Sequence, residues 1–395
     1  MNKKLRIVSL LLSLVMLFAL VGCGETGGET PAGGSEAGAA DDTVYTLRVS
    51  SINPVTDNKN GIVLEAWANW LKEQSDGRIE LEIHYSNEAC AADAALSAVQ
   101  NGIVDIAEFE SPYYGTSFPL NELFLLPMIY EYADSWTCTK VIQEMREKYP
   151  EFEKEFTDQG VIWLMSHCVS ASHFFNAKPI RNMEDMKGKI INAFSGTEAR
   201  TIELLGGTAE LIGAMDCYDA QSKGVLNSTA VPYTGATVTG VLAASSSVTE
   251  VGLCQAVFNF IMNQDTYNSL PADLQALFSR EKMLEFEDWY GYQFNCDDMA
   301  FKVEDMALEN FEIITLSAEE KARWQEAIAP VYDEWVAKAD AVGMDGDALL
   351  DELMELADKY SYSKYFVGKD LTEIHGNLQK YYGKNLPAQF VTVFE

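Results

Sequence analysis

Three consecutive stretches decide the fold: YTLRVSSIN (45–53), GIVLEAWANWLKEQSDG (61–77) and RIELEIHY (78–85). In the first, Tyr45, Leu47 and Val49 alternate with polar residues, the pattern of a half-buried strand. The second places Val63, Trp67, Trp70 and Leu71 on one helical face, and Asp76-Gly77 closes it. The third alternates Ile79, Leu81, Ile83 and Tyr85 with Glu80, Glu82 and His84. Strand, helix and strand at this spacing predict a βαβ unit and therefore a parallel sheet.

Downstream the pattern repeats. An Ala-rich helix over 91–100 stops at Asn101-Gly102, and a strand is expected over 103–107. Two helical stretches meet at Pro150, with Ile142, Met145, Tyr149, Phe152 and Phe156 on one face. A second series then runs through VIWLMS (161–166), KIINAF (189–194), a helix over 197–205, AELIG (209–213), a helix over 216–223 and Gly224. From Ser269 the chain is mostly helical. Ser317-x-x-Glu320 is a capping box, and the helix it starts carries Trp324, Ile328, Val331 and Trp335 as one core stripe.

Upstream, Lys3, Lys4 and Arg6 precede an uncharged run from Ile7 to Val21, a signal-peptide layout too short for a bilayer span of about 20 residues. Leu20-Val21-Gly22-Cys23 resembles the bacterial lipobox, in which Cys23 is acylated and becomes the first residue; an uncleaved membrane anchor is the alternative. Gly24 to Thr43 is rich in Gly, Ala, Glu and Thr, and is expected to act as a flexible tether. The expected organisation is a signal peptide over 1–22, lipidated Cys23 with a linker to 43, and a two-lobed domain over 44–395. Its first lobe covers about 44–165 with part of the C-terminal region, its second about 166–265, and C-terminal helices about 269–395.

The net charge of −32 argues against nucleic acid and against adsorption to anionic lipid, leaving the acyl chain as the membrane attachment. Six further cysteines, Cys90, Cys138, Cys168, Cys217, Cys254 and Cys296, lie too far apart for a metal knuckle or a CxxC redox pair. Their even number permits disulfides without requiring them, isolated buried thiols being the other reading. No G-x-S-x-G, HExxH, Walker A or Rossmann glycine motif occurs, and nothing points to a cofactor. His167 and Cys168 are neighbours on a strand, so they face opposite ways and cannot pair as base and nucleophile. His84 and His167 read as structural. In DAVGMDGDALLDE, Ala341 and Gly343 stand where a calcium loop needs oxygen ligands, which excludes a metal there.

Two α/β lobes on a lipid tether suggest a ligand cleft at the carboxyl ends of the strands. The stretches NGIVDIAEFES, LPMIY, NAKPIRNMEDMKGKII, LLGGTAELIGAMDCYDAQSKGV, NSLPADLQALF and ITLSAEEKARWQEAIAPVYDEWVAKADAVGMDG, in this order and spacing, resemble the DctP-type solute-binding proteins of tripartite ATP-independent periplasmic (TRAP) transporters. That resemblance implies an α/β, two-lobed periplasmic-binding-protein-like fold with a long helix spanning both lobes. It implies a receptor, not an enzyme, that delivers a small solute to a small and a large membrane subunit from the outer face of the cytoplasmic membrane. An ABC-type binding lipoprotein, a secreted hydrolase and a sensor are the competing readings.

The resemblance also implies an arginine at the strand tip after the D-x-K-G turn, gripping a carboxylate through paired hydrogen bonds. Asp185-Met186-Lys187-Gly188 matches the turn, yet the arginine falls at Asn192. A second arginine of sialic-acid-type relatives falls near Ser172, beside His173. A V-D-G-x-E-N-P pattern, aligned on Val225–Pro232 with the prolines matched across a one-residue gap, puts Asn227 for the aspartate, Ser228 for the glycine and Val231 for the pocket asparagine, whereas the glutamate after the third strand is retained as Glu110. Burying a carboxylate ligand without a cation costs several kcal/mol, on the order of a buried unpaired charge, so the expected ligand is neutral or cationic. Asn192 would offer it a donor and an acceptor; Tyr113, Phe174 and Tyr233 would be aromatic walls, and Asn53 would border the cleft. Arg200 or a protonated His173 could restore a positive charge.

Overall fold

The computed structural model describes residues 43–52, 60–110, 114, 117–130, 134–306, 308–361, 364 and 370–386. Cys23, Asn53 and Tyr113 lie outside them, as do the leader and tether.

Eleven strands among the described residues form two sheets. They are β1 (Tyr45–Ser50), β2 (Ile79–His84), β3 (Ile106–Glu110), β4 (Val161–Cys168), β5 (His173–Asn176), β6 (Ile190–Asn192), β7 (Thr208–Glu210), β8 (Ser228–Val231), β9 (Ser247–Glu250), β10 (Val257–Asn263) and β11 (Glu312–Thr315). The first sheet has the order β2-β1-β3-β10-β4, and the second β11-β9-β5-β8-β6-β7. The opening βαβ unit is present: β1 and β2 pair in parallel, Tyr45 opposite Ile79, around the helix Asn60–Gln74. Val63, Trp67, Trp70 and Leu71 are all buried beneath it. Asp76 and Gly77 end the turn after the helix with φ of 53° and 81°. Leu81 and Ile83 are only partly covered because β2 is an edge strand.

The third strand lies three residues later than the spacing predicts. Ile103 N–H bonds back to Ala98 O at 2.9 Å, keeping Ile103 in the turn after Gly102, where its side chain is exposed. Pairing with β1 therefore starts at Ile106, and Glu110 becomes the strand's last residue.

Two assignments to the second lobe are corrected. β4, read as the start of the second series, hydrogen-bonds in the first sheet, and so does β10, which falls within 166–265. β10 runs antiparallel between β3 and β4 and buries Phe260, Ile261 and Met262. The chain thus leaves the first sheet at 169–172 and returns at 251–256. These two crossovers bond to each other: Ser172 N–H to Cys254 O and Leu253 N–H to Ser172 O, both at 2.8 Å.

Two long helices bridge the sheets. In Arg280–Met306, Phe286, Trp289 and Tyr290 lie in the first lobe's core, while Phe301 packs against the core of the second. The stripe of Ala318–Ala341 is buried as expected but divided: Trp324 and Ile328 join Phe174 and Ile191 in the second lobe, Val331 and Trp335 join the first. Its capping box is half made. Ser317 Oγ accepts from Glu320 N–H, but Glu320 Oε1 takes Met183 N–H at 2.7 Å and Trp324 Nε1 at 2.8 Å instead of closing on the cap. The tail helix Thr372–Tyr382 packs on the outer side of Asn60–Gln74, with Asn69 Nδ2 donating to Tyr381 O at 2.8 Å.

Candidate functional site

The carboxyl ends of β3, β6 and β8 and the paired crossovers carry the candidate side chains, and the pairing of the second sheet orders those of the second lobe. His173 is opposite Val231 and Asn192 opposite Thr229. Thr229 and Val231 are two residues apart on β8, so all four side chains share one face of the sheet.

Asn192 is fully buried. Its Oδ1 accepts Ile212 N–H at 2.9 Å, which fixes the amide's orientation, and Nδ2 has no partner in the structure. The expectation that Asn192 offers both a donor and an acceptor is therefore corrected: the acceptor is used within the lobe and the NH2 group remains.

His173, also fully buried, accepts Gly252 N–H at Nδ1, 3.2 Å away. The ring's proton thus sits on Nε2, a second donor without a partner. Burial drives its pKa down to about 4, against the pull of Glu250. His173 is neutral near pH 7 and is no cationic anchor. Gly252 approaches the chain closely here: φ is +60°, and a Cβ would meet Tyr130 O at 2.8 Å.

Three glutamates, Glu108, Glu110 and Glu198, are coupled through Glu110, which feels the charges of the other two. Glu108, buried in β3, accepts Ser51 Oγ at 2.7 Å, Ile52 N–H at 2.9 Å and His167 Nε2 at 2.8 Å. Burial pushes its carboxyl up, but the His167 hydrogen bond and charge together with the other donors bring it below its usual range. Glu110, half-buried, is pushed up to about 8 by burial and then by the charges of Glu108 and Glu198. Glu198 belongs to the other lobe, in the first turn of the helix Gly196–Leu204, and is buried. Burial raises it to about 7, opposed by Phe194 N–H, which it holds at 2.7 Å, and by the Ser172 side chain. Glu108 and Glu198 were not singled out from the sequence. Ser195-x-x-Glu198 carried a signal for the second, since Ser195 Oγ caps that helix by accepting Glu198 N–H at 3.1 Å.

The other expected contacts lie in the core. Phe174 points to the opposite face of β5 from His173 and packs against Trp324 beneath the bridging helix. Tyr233 is fully buried, edge-on to His173 and Phe175, with its hydroxyl donating to Glu250 at 2.9 Å. Both are core residues of the second lobe instead of walls of the cleft. Val231 packs in the same cluster as Tyr233, and Ser172 is in the first crossover. Arg200 lines a groove of ≈ 240 Å³ together with Ser195, Gly196 and Thr197, beside the helix Ala318–Ala341, and pairs there with Glu334 at 3.0 Å. His167 is sandwiched between Phe258 and Tyr290, at 4.9 and 4.5 Å. Among the described residues there is no His/Cys/Asp/Glu cluster that could hold a metal ion, and no helix long and apolar enough to cross a membrane.

Two α/β lobes joined by paired crossovers and bridged by long helices, with polar groups gathered where the strands end, make a periplasmic-binding-protein-like fold. The chain belongs to the DctP family, bacterial extracellular solute-binding protein family 7, whose model matches residues 49–339. The family is extracytoplasmic. The fold is similar to that of a TRAP periplasmic solute-binding protein from Desulfovibrio salexigens, with a TM-score of 0.73, 24% identity, and 81% of this chain and 97% of that one covered. It is also similar to one from Bordetella bronchiseptica with bound mandelate, with a TM-score of 0.70, 22% identity, and 80% and 100% covered. A solute-binding protein of Chromohalobacter salexigens is 21% identical over 171 residues, 42% of this chain. The chain spans about half the length of that curated relative, 49%.

Proposed function

We propose that this protein is the receptor of a TRAP transporter, held outside the cytoplasmic membrane by a lipid on Cys23. It closes its lobes on a small solute and passes the solute to the small and large membrane subunits. Family membership supports this over an ABC-type receptor or a hydrolase. Closure follows from differential contacts, because a solute touching both lobes favours the closed state.

The solute is neutral or cationic. The observation that carries this is the chemistry at the strand ends. The second lobe supplies two uncharged donors, Asn192 Nδ2 and the Nε2–H of His173, while carboxyl groups come from both lobes, Glu110 and Glu198. A solute with a hydroxyl or carbonyl oxygen for the donors and an ammonium or hydroxyl for the carboxyls satisfies both sets. A bare carboxylate would find no guanidinium there, and its charge would be opposed by Glu110 and Glu198 in so far as these, raised to about 8 and about 7, are ionised. The same reading takes Asn53 and Tyr113, expected from the sequence, as further solute contacts.

A thermal-shift screen of the purified protein against amines, polyols, amino acids and organic acids tests both parts. Stabilisation by an amine or polyol is expected. Micromolar binding of dicarboxylates or sugar acids would overturn the ligand class and leave the receptor role standing. No stabilisation by any small solute would count against the receptor role itself.

A further inference from the structure

We propose that Cys138 and Cys168 are joined by a disulfide that locks the first lobe at the root of its hinge. The two Sγ atoms are 2.8 Å apart, and both residues are fully buried. Non-bonded carbons reach best contact at about 3.5–4.0 Å, and sulfur is larger, so two separate thiols are crowded at this distance and a covalent bond relieves the crowding. The other cysteines have different surroundings. Cys90 Sγ meets Ser50 Oγ at 3.2 Å, and Cys217 Sγ meets Gly213 O at 3.5 Å.

The place of the pair gives the bond its consequence. Cys168 is the last residue of β4, after which the chain crosses to the second lobe; Cys138 is in the first turn of the helix Ser135–Lys148. That helix start also holds both crossovers by hydrogen bonds. Ser135 Oγ donates to Cys168 O, and Gln255 Nε2 of the returning crossover donates to Asp134 O at 3.1 Å. A bond from Cys138 to Cys168 fixes covalently what these contacts fix reversibly, so the lobes close about a rigid root.

The chemistry is thiol–disulfide exchange with a small disulfide as oxidant. One cysteine thiolate attacks the oxidant, forming a mixed disulfide and expelling one thiol. The second thiolate displaces the remaining half, forming the protein S–S bond and releasing a second thiol. Two electrons and two protons pass from the protein to the oxidant. Burial pushes the Cys168 thiol far up, so the folded pair reacts slowly, and the bond forms while the chain folds and persists afterwards.

The test does not depend on the receptor reading. The whole chain is unfolded, refolded in mixed oxidised and reduced glutathione, alkylated under denaturing acid conditions without reductant, and digested. Mass spectrometry is expected to recover the Cys138 and Cys168 peptides as a joined pair, with Cys90, Cys217, Cys254 and Cys296 alkylated. Adding reductant under mild denaturing conditions is expected to lower the melting temperature of the oxidised protein by several degrees, and to leave a Cys138→Ala/Cys168→Ala double variant unchanged. Full alkylation of Cys138 and Cys168 in the refolded protein, or their pairing with other cysteines as often as with each other, would overturn the proposal.

Discussion

Asn192 Oδ1 receives the Ile212 N–H at 2.9 Å, tying the tip of β6 to the segment that follows β7. A guanidinium has no acceptor, so an arginine at this position could not make that contact. Asn192→Arg is expected to lower stability in urea melts by at least about 1 kcal/mol for the lost contact, and further for the guanidinium buried without a partner, and to create binding of simple carboxylates in calorimetry. An unchanged melt would mean that the Ile212 bond carries no stability.

The acidity of the cleft can be read from the pH dependence of stability. Glu198 and Glu110 have folded pKa values of about 7 and about 8, raised above the 4.5 of a free glutamate. The folded state therefore binds more protons than the unfolded one, and stability is lost as pH rises from about 4.5 through 7–8. Glu198→Gln, which keeps an acceptor for Phe194 N–H, is expected to flatten the fall in melting temperature between about pH 5 and 8. A slope identical to that of the parent protein would rule out a titrating Glu198.

His173 acts in the opposite sense. Its pKa falls from 6.5 to about 4 on folding, so its contribution is present above 6.5 and lost as pH drops toward 4. His173→Asn is expected to reduce acid destabilisation in that window, with Asn Oδ1 replacing Nδ1 as acceptor for Gly252. Direct titration of the imidazole by NMR should find it neutral at pH 6; a charged ring at that pH would contradict the buried, uncharged donor.

Two arginines should differ sharply. Arg146 is buried between Glu153 and Glu287, donates to Trp163 O at 3.0 Å and lies 3.6 Å over the Trp163 ring. Arg146→Met removes one of the two arginines paired with the buried Glu287, the other being Arg280 at 2.8 Å, and takes the partner from Glu153; it is expected to cost about 1.5–3 kcal/mol. Arg200→Ala removes a half-exposed pair and is expected to cost less than about 1 kcal/mol, with no change in solute affinity. A large affinity loss in Arg200→Ala would make that residue the replacement cation.

Gly252→Ala forces a Cβ to within 2.8 Å of Tyr130 O at a φ of +60°. A loss of about 1–3 kcal/mol is expected from the strained backbone, measured by urea unfolding, with the larger effect if the Gly252 N–H shifts away from His173. A variant as stable as the parent would show that this crossover is free to move.

The first lobe was legible where contacts are local. The alternation of β1 and β2 and the apolar face of the helix between them follow from side-chain geometry along one element, and Asp76-Gly77 from the backbone conformation that ends it. β10 was not legible as part of the first sheet, since the apolar content of VFNFIMN fits a buried strand in either sheet and does not say which strands it lies between. The stripe from Trp324 to Trp335 was legible as buried, but its division between two cores depends on where both lobes stand along the helix.

By itself the sequence determined the class of fold, the family, and the absence of arginine at position 192, because these rest on residue type, order and periodicity. Only the tertiary structure decided what Asn192 and His173 have left to offer. Each spends its acceptor on a backbone N–H far along the chain, Ile212 and Gly252, and that spending depends on which strands meet. The same holds for Glu198, whose raised pKa comes from burial, and for the crowding of Cys138 and Cys168 across a helix and a strand.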